Sequence, residues 1–478
     1  MAHPDRLSGL DASFLALEEG GAHMHVGSVL LFDGEAPPYA EFVAQLERRL
    51  ALVPRYRQKL AFAPVVPSRP VWVDDPHFNA GYHVRHSALP APAGEEQLRR
   101  LAGRVFAQRL DRSKPLWELW LVDRVEGNRF AIIAKTHHCL VDGVAGVDIT
   151  TVLFDLDPEP GSSALSASEP WLARPEPATA ALVADALLGA STRPLELARL
   201  TTGAATHPRR AIAAWLRGLA GLAAITRAGV AGAPPSPLNV RIGPHRRFAW
   251  VDADLSTFKA VKDALRGTVN DVVLTVVAGA LRRHFLAHGH DTATDLKAMV
   301  PVSVRDPSER GALGNRVSTM YAPLPIGLDD PIARFRVVHE AMRGLKQSGQ
   351  ADGAEVIASL AGFAPPTVLA QAARLQAVQR FFNLTVTNVP GPQFPLYLLG
   401  RPLSRVYPLV PLAENCALGI AVMSYDGHID FGLVADYDAL PDLEDVASAL
   451  EAEIAELAAV AGVEAARRPR RTPVGQPA

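Results

Sequence analysis

The sequence predicts an α/β protein of two domains joined by a helical linker, and three observations carry that reading. The chain has 478 residues, more than one hydrophobic core normally serves. Strand-like apolar runs alternate with helix-spaced segments in both halves. Between the halves, residues 162–240 change composition to Ala, Leu, Gly and Pro with a scatter of arginines, among them Arg193, Arg199, Arg209, Arg210, Arg217 and Arg227. The resulting division is an N-terminal domain over 1–161, a linker over 162–240, a C-terminal domain over 241–462 and a basic tail over 463–478.

The elements follow in order. His25–Phe32 is an apolar run that reads as a strand, and Pro38–Leu50 places Phe42, Leu46 and Leu50 on one helical face. Gln97–Leu110 is a second amphipathic helix. The strands Trp117–Val122 and Arg129–Thr136 flank Glu126-Gly127-Asn128, the residue types of a tight turn, so they form a hairpin. Past Gly143, the spacing of Val144, Val147 and Val152–Phe154 suggests a helix, which Asp157-Pro158-Glu159-Pro160-Gly161 stops. In the linker, 209–230 sets Trp215, Leu216, Leu219, Leu222 and Ile225 among arginines; it suits a lipid interface or a helix packed on its own protein. The second domain reads as a strand at Arg247–Val251, a helix at Ser256–Leu265, a long apolar helix at Asn270–His288 and a strand at Leu296–Val302. Further strands are expected at Arg316–Pro323, Asn383–Asn388, Ala417–Tyr425 and His428–Asp436, before a closing helix at Leu443–Ala459. The tail, with Arg467, Arg468, Arg470 and Arg471 among prolines, reads as disordered.

Composition excludes several classes. A content of 48% hydrophobic and 21% charged residues is that of a globular protein. The net charge of -2 gives no electrostatic footprint for nucleic acid. Two cysteines, Cys139 and Cys416, rule out a disulfide framework and fit a reducing compartment, hence a cytoplasmic address. The first ten residues carry charges and Pro4 where a secretory signal needs an apolar core. The most apolar run, Val272–Leu281, is about half of what a spanning helix requires. Any membrane contact is therefore expected to be peripheral.

The chemistry concentrates where the hairpin ends. Phe130–Ala134 is continuously apolar, as in a strand buried on both faces, and it leads into His137-His138-Cys139-Leu140-Val141-Asp142-Gly143. A neutral imidazole is suited to taking a proton from a hydroxyl near neutral pH. Adjacent residues on a strand point to opposite faces, so one histidine faces a substrate and the other is structural. Asp142 orients the loop through a cationic partner or holds the imidazole directly, and Gly143 permits the tight turn. Metal ligation by His137, His138 and Asp142 is disfavoured, because the rings diverge and no third histidine or cysteine stands at ligand spacing. Cys139 is read as a small buried residue rather than a thiol nucleophile.

The HHxxxDG segment resembles the active-site signature of the CoA-dependent acyltransferase superfamily, which includes chloramphenicol acetyltransferases and peptide-synthetase condensation domains. More of the chain is similar to one branch, the bacterial wax ester synthase/diacylglycerol acyltransferase family. The matches are Leu7-Ser8-Gly9-Leu10-Asp11 through Phe14-Leu15, Pro115-Leu116-Trp117, Asn270-Asp271, Pro301-Val302-Ser303-Val304-Arg305, Gly314-Asn315-Arg316 and Asn388-Val389-Pro390-Gly391-Pro392. This ordered set spans about 5–460 and is far more specific than the histidine motif alone.

The resemblance implies two chloramphenicol-acetyltransferase-like domains, each a mixed sheet with flanking helices, and a tunnel between them through His138. It implies transfer of a long-chain acyl group from acyl-CoA to a fatty alcohol or diacylglycerol, with His138 as general base and acyl-CoA as substrate; no cofactor or metal is implied. Asn270 would donate to the oxyanion, or would merely cap its helix. Asp142 would pair with Arg305, with Arg55 or Arg57 in reserve, and His137 and Gly143 would support the motif. Pro115, Leu116, Trp117, Asn388, Val389 and Pro390 would shape the tunnel, although Trp117 is equally suited to ordinary core. Two other functions fit less of the pattern: an acyltransferase of the same superfamily acting on a secondary-metabolite hydroxyl, and a non-catalytic protein on lipid droplets.

Overall fold

Apolar strands need both faces covered, and here two sheets and the helices around them supply the cover. The computed structural model describes residues 5–18, 20–64, 68–141, 153–159, 171–187, 232–303, 317–347 and 381–463. In chain order the strands are β1 (His25–Asp33), β2 (Gln58–Ala61), β3 (Val71–Asp74), β4 (Val84–Ala88), β5 (Trp117–Val125), β6 (Arg129–His137) and β7 (Arg246–Asp254). They continue with β8 (Leu296–Ser303), β9 (Val317–Leu324), β10 (Leu384–Pro390), β11 (Tyr397–Leu398), β12 (Arg401–Leu409), β13 (Leu418–Tyr425) and β14 (His428–Asp436). One six-stranded sheet has the order β11-β12-β1-β6-β5-β4, the other β7-β14-β13-β10-β8-β9, and β2 pairs with β3 alone. Both large sheets are mixed. β4 runs parallel to β5, and β10 runs parallel to β13 and β8, while the remaining pairs are antiparallel.

The expected hairpin is β5–β6, with Gly127 and Asn128 at positive φ in its turn. The chain does not divide between the sheets at one point, however. β11 and β12, inside the span read as the C-terminal domain, cross over, and β12 pairs antiparallel with β1 from Gly27↔Leu409 to Phe32↔Leu403. The first sheet is therefore completed by residues nearly 370 positions downstream of its first strand.

Helices cover the sheets where the 3.6-residue spacing places apolar side chains. Tyr39–Arg49 buries Phe42 and Leu46, and Glu95–Ala107 buries Leu98, Ala102, Val105 and Phe106. The latter starts two residues earlier than its spacing suggests, because Gln97 Oε1 accepts from the Gly94 N–H and closes the first turn. In the second domain Val269–Ala287 is buried almost all round, against Leu443–Val460 and Pro331–Gln347. The helix Pro331–Gln347 and the helix Gly9–Leu17 were not expected from the spacing. Among the described residues no single helix is long and apolar enough to cross a membrane; the bent pair Leu255–Ala264 and Val269–Ala287 has that apolarity because it is domain core. The interfacial segment at 209–230, most of the helix expected after Gly143 and the basic tail from 464 lie outside the described residues.

Candidate active site

β6 delivers the histidine pair. Its partners hold the end of the strand on both sides, with His25 of β1 opposite His137 and Trp117 of β5 opposite Thr136. Beyond the last pair, the His137 N–H donates to the Leu116 carbonyl at 2.9 Å and the His138 N–H to the Met24 carbonyl at 2.8 Å. The chain then turns into the short helix His138–Val141. Alternation separates the two side chains as expected: His137 is buried, with 1% of its surface exposed, while His138 is only half-buried. The His138 ring stacks on Phe14 at 4.0 Å between centroids and 30° between planes. Phe14 stands on the helix Gly9–Leu17, whose first turn is closed by the Ser8 hydroxyl accepting from the Asp11 N–H.

Behind the pair lies a charged network with no signature in the sequence. His137 Nδ1 accepts from the Cys139 N–H at 3.2 Å, so the ring proton sits on Nε2, which lies 3.7 Å from Glu18 Oε2. His25 Nε2 lies 3.3 Å from Glu18 Oε1, and Arg112 donates to Glu18 Oε2 through two nitrogens at 2.6 and 3.1 Å. Burial acts to raise the Glu18 carboxyl, but hydrogen bonding to and attraction by His137 and His25 outweigh it and hold it well below the usual carboxylate range. Burial pushes His25 down to about 3 against the pull of Glu18, and it lowers His137 in the same way. The charge state is thus a buried carboxylate on Arg112 with two neutral imidazoles beside it. His137 is the brace of the turn that carries His138. Burial also pushes the Cys139 thiol well above its ordinary value, so it is no ready thiolate.

The other expected residues fall in separate parts of the structure. Leu116 and Trp117 are fully buried in the first domain's core, where the Trp117 indole donates to the Tyr56 carbonyl at 2.7 Å and stacks on His83 at 4.5 Å. They hold the end of β6 through the backbone. Asn270 is half-buried in the first turn of Val269–Ala287, and it is not the cap: Thr268 caps the helix, in a capping box with Asp271. Asn388, Val389 and Pro390 end β10 at the seam between the sheets. Their partners on β13 are Val422, Met423 and Ser424, and Met423 and Tyr425 pack on the same core cluster as Cys139 and Leu140. Gly391 follows because a Cβ there would collide with the Ser424 carbonyl. Asp142, Gly143 and Arg305 lie outside the described residues. The reserve partners are engaged elsewhere, Arg55 with Asp5 and over the Trp72 ring, Arg57 with the Glu47 carbonyl at 3.0 Å and over the Trp171 ring.

Two family models match this chain in succession, the wax ester synthase/diacylglycerol acyltransferase catalytic domain over residues 7–273 and the C-terminal domain of the same family over 313–458. The chain belongs to the wax ester synthase/diacylglycerol acyltransferase family. A Mycobacterium tuberculosis (strain CDC 1551) protein named as a diacylglycerol O-acyltransferase is 35% identical over 463 residues, covering 95% of this chain and 90% of that protein. A second from the same strain, tgs1, is 32% identical over 461 residues, covering 95% and 96%. Among solved structures, the wax ester synthase/diacylglycerol acyltransferase from Marinobacter aquaeolei VT8 superposes with a TM-score of 0.65 at 28% identity, covering 96% of this chain and all of that one. The starter condensation domain of rhizomide synthetase shares the fold, with a TM-score of 0.57 at 14% identity over 97% of this chain and 96% of that domain. The two-domain architecture read from the motifs is thereby confirmed. As a member of this family the chain is an O-acyltransferase of the kind that forms wax esters or triacylglycerols.

Proposed function

We propose that His138 is the general base of this acyltransferase, taking the proton from the hydroxyl of a fatty alcohol or diacylglycerol. The observation that carries the reading is the division of labour within the pair: His137 is buried and committed to the turn and to Glu18, while His138, pinned through its backbone and stacked on Phe14, is only half-buried. The alkoxide oxygen attacks the thioester carbonyl of acyl-CoA and forms the new C–O bond. The tetrahedral intermediate then collapses by breaking the C–S bond, and the imidazolium returns its proton to the leaving CoA thiolate. Proton count and charge balance without an acyl-enzyme or cofactor. Asn270, free of the capping role that Thr268 takes, is the proposed donor to the oxyanion, a group whose removal costs about 10²–10³ in rate where it has been tested. Asp142 and Arg305 are proposed to pair and hold the motif loop. Because both substrates are lipidic, the enzyme is proposed to work at a membrane or lipid-inclusion surface, with Trp215 and Leu219 of the 209–230 segment as the contact.

The test follows free thiol release from palmitoyl-CoA with hexadecanol or a diacylglycerol as acceptor, together with the ester formed. Acceptor-dependent release by the wild type and a loss of about 10²–10⁴ in His138→Ala are expected. Equal release with and without acceptor, or an unimpaired His138→Ala enzyme, overturns the proposal.

A further inference from the structure

At the far end of the Asn270 helix, outside the acyl-transfer site, three side chains converge. His284 and His288 stand one turn apart on the face of Val269–Ala287 and its cap, which is the spacing that puts two imidazoles side by side. Their ring centroids are 4.3 Å apart. Asp442, the residue preceding the closing helix Leu443–Val460, turns Oδ2 toward both rings, 2.6 Å from His288 Nε2 and 3.8 Å from His284 Nε2. One donor atom from each of the three residues falls within 4.8 Å of the others. We propose that His284, His288 and Asp442 form a binding site for one divalent transition-metal ion of the zinc type, clamping the long core helix to the closing helix.

Three observations support a cation there. His288 Nδ1 lies 2.8 Å from the His284 carbonyl, which can only accept, so Nδ1 carries a proton and the ring is oriented as metal-binding histidines are by their outer partners. His288 Nε2 then faces a carboxylate oxygen at 2.6 Å, a contact that either a proton or a metal ion must bridge. Second, the His284 side chain is only 4% exposed and its Nε2 faces Asp442 Oδ2 at 3.8 Å, too far for a direct hydrogen bond and within the span of a shared ion. Third, the geometry is near what a tetrahedral ion requires. Bonds of about 2.0–2.1 Å place neighbouring donors about 3.3 Å apart, so the 2.6 Å gap opens and the 3.8 Å gap closes by comparable amounts. A donor set of two imidazoles and one carboxylate selects zinc, nickel, cobalt or copper over magnesium and calcium. The outer side is open, since His288 is 37% and Asp442 23% exposed, leaving room for water to complete the shell. At 1.5 Å per residue the site lies about 21 Å along the helix from Asn270, so the ion acts as a staple and not as a Lewis acid.

Untagged full-length protein, stripped with chelator, is titrated with Zn2+ in competition with a chromophoric chelator, and its Tm is followed with and without the ion. The wild type should take up one ion per chain, with a rise in Tm. His288→Ala and Asp442→Asn should each weaken binding at least tenfold and abolish the rise; both side chains are partly exposed, so neither change empties the core. Acyl transfer in these two variants should be indifferent to zinc. Equal uptake by wild type and both variants overturns the proposal. So does a wild type without zinc-dependent stabilisation whose Tm falls in Asp442→Asn at every zinc concentration, which is the behaviour of a His288–Asp442 ion pair alone.

Discussion

Replacing His25 with glutamine tests the charge state of the network behind the histidine pair. The ring has 2% of its side chain exposed and lies 3.3 Å from a carboxylate, so it is either a neutral donor or half of an ion pair. Burial holds it at about 3, below the value near 6.5 of the unfolded chain. A histidine whose folded pKa is depressed contributes stability that is complete above about pH 6.5 and is lost as pH falls toward the folded value, because only the unfolded chain takes up the proton. At pH 5 that uptake favours unfolding by about 2 kcal/mol, and at pH 7.5 by almost nothing. Glutamine can present an N–H to Glu18 but does not titrate. Wild-type and His25→Gln proteins are unfolded in urea from pH 7.5 to 4.5. The wild type should lose stability more steeply on the acid side, the two curves converging or crossing by about 2 kcal/mol at pH 5 relative to their separation at pH 7.5. His23, pushed down to about 4 by burial, and His137 shift both proteins alike and drop out of the comparison. Parallel curves would mean that His25 takes up its proton in the folded state as readily as in the unfolded chain, and the neutral network would be wrong.

The adjacent histidines should fail in different ways. His138→Ala should lose kcat/KM with a Tm near that of the wild type. His137→Ala strands the Cys139 N–H, at a cost of about 1–3 kcal/mol seen in the urea midpoint, while Glu18 keeps Arg112 and His25, and it loses activity only as far as the turn loosens. Cys139→Ala should keep most of the thiol-release activity, since its buried thiol is held protonated; a loss equal to that of His138→Ala would restore a thiol mechanism. Gly279→Ala would drive a Cβ into Glu453 and Arg334, whose buried pair is 2.6 Å apart, and should lower stability by on the order of 3 kcal/mol; a Tm within a degree of wild type would contradict that packing.

Much of this architecture was legible because it rests on local pattern. The β5–β6 hairpin has its turn residues, β10, β13 and β14 are apolar runs, and Val269–Ala287 and Leu443–Val460 show helical spacing, all within a few residues of their observed ends. The crossing strand β12 was not legible. Arg401, Pro402, Arg405 and Pro408 make it read as a loop, and it becomes a strand only because β1 offers a ladder from the other end of the chain. The site was half legible for the same reason. The histidine motif is local, and the structure finds His137 buried and His138 half-buried where β6 turns into the short helix. Glu18 and Arg112 are ordinary surface residue types, and only the packing of the helix Gly9–Leu17 against His138–Val141 makes one of them a buried anion. His25 left a trace, a histidine opening a strand of otherwise apolar residues as His137 closes one. For Asn270 the local pattern leaves two roles open, and the structure removes one of them, since Thr268, two residues earlier, caps the helix.

The crossing strand also bears on how the site is held. β1 lies between β6, which ends in the histidines, and β12, which arrives from the second half. Just before β1, the Gly21 carbonyl accepts from Arg246 of β7, and a side chain at Gly21 would strike the carbonyls of Ile242 and Gly243. The Met24 carbonyl that fixes the His138 N–H belongs to this same short stretch. Thus the backbone that positions the proposed base is gripped by the second domain on one side and by its own sheet on the other. Moving the two sheets apart as rigid lobes would carry β12 along with β1, but it would break the contact of Arg246 with the Gly21 carbonyl and pull on the stretch that anchors His138.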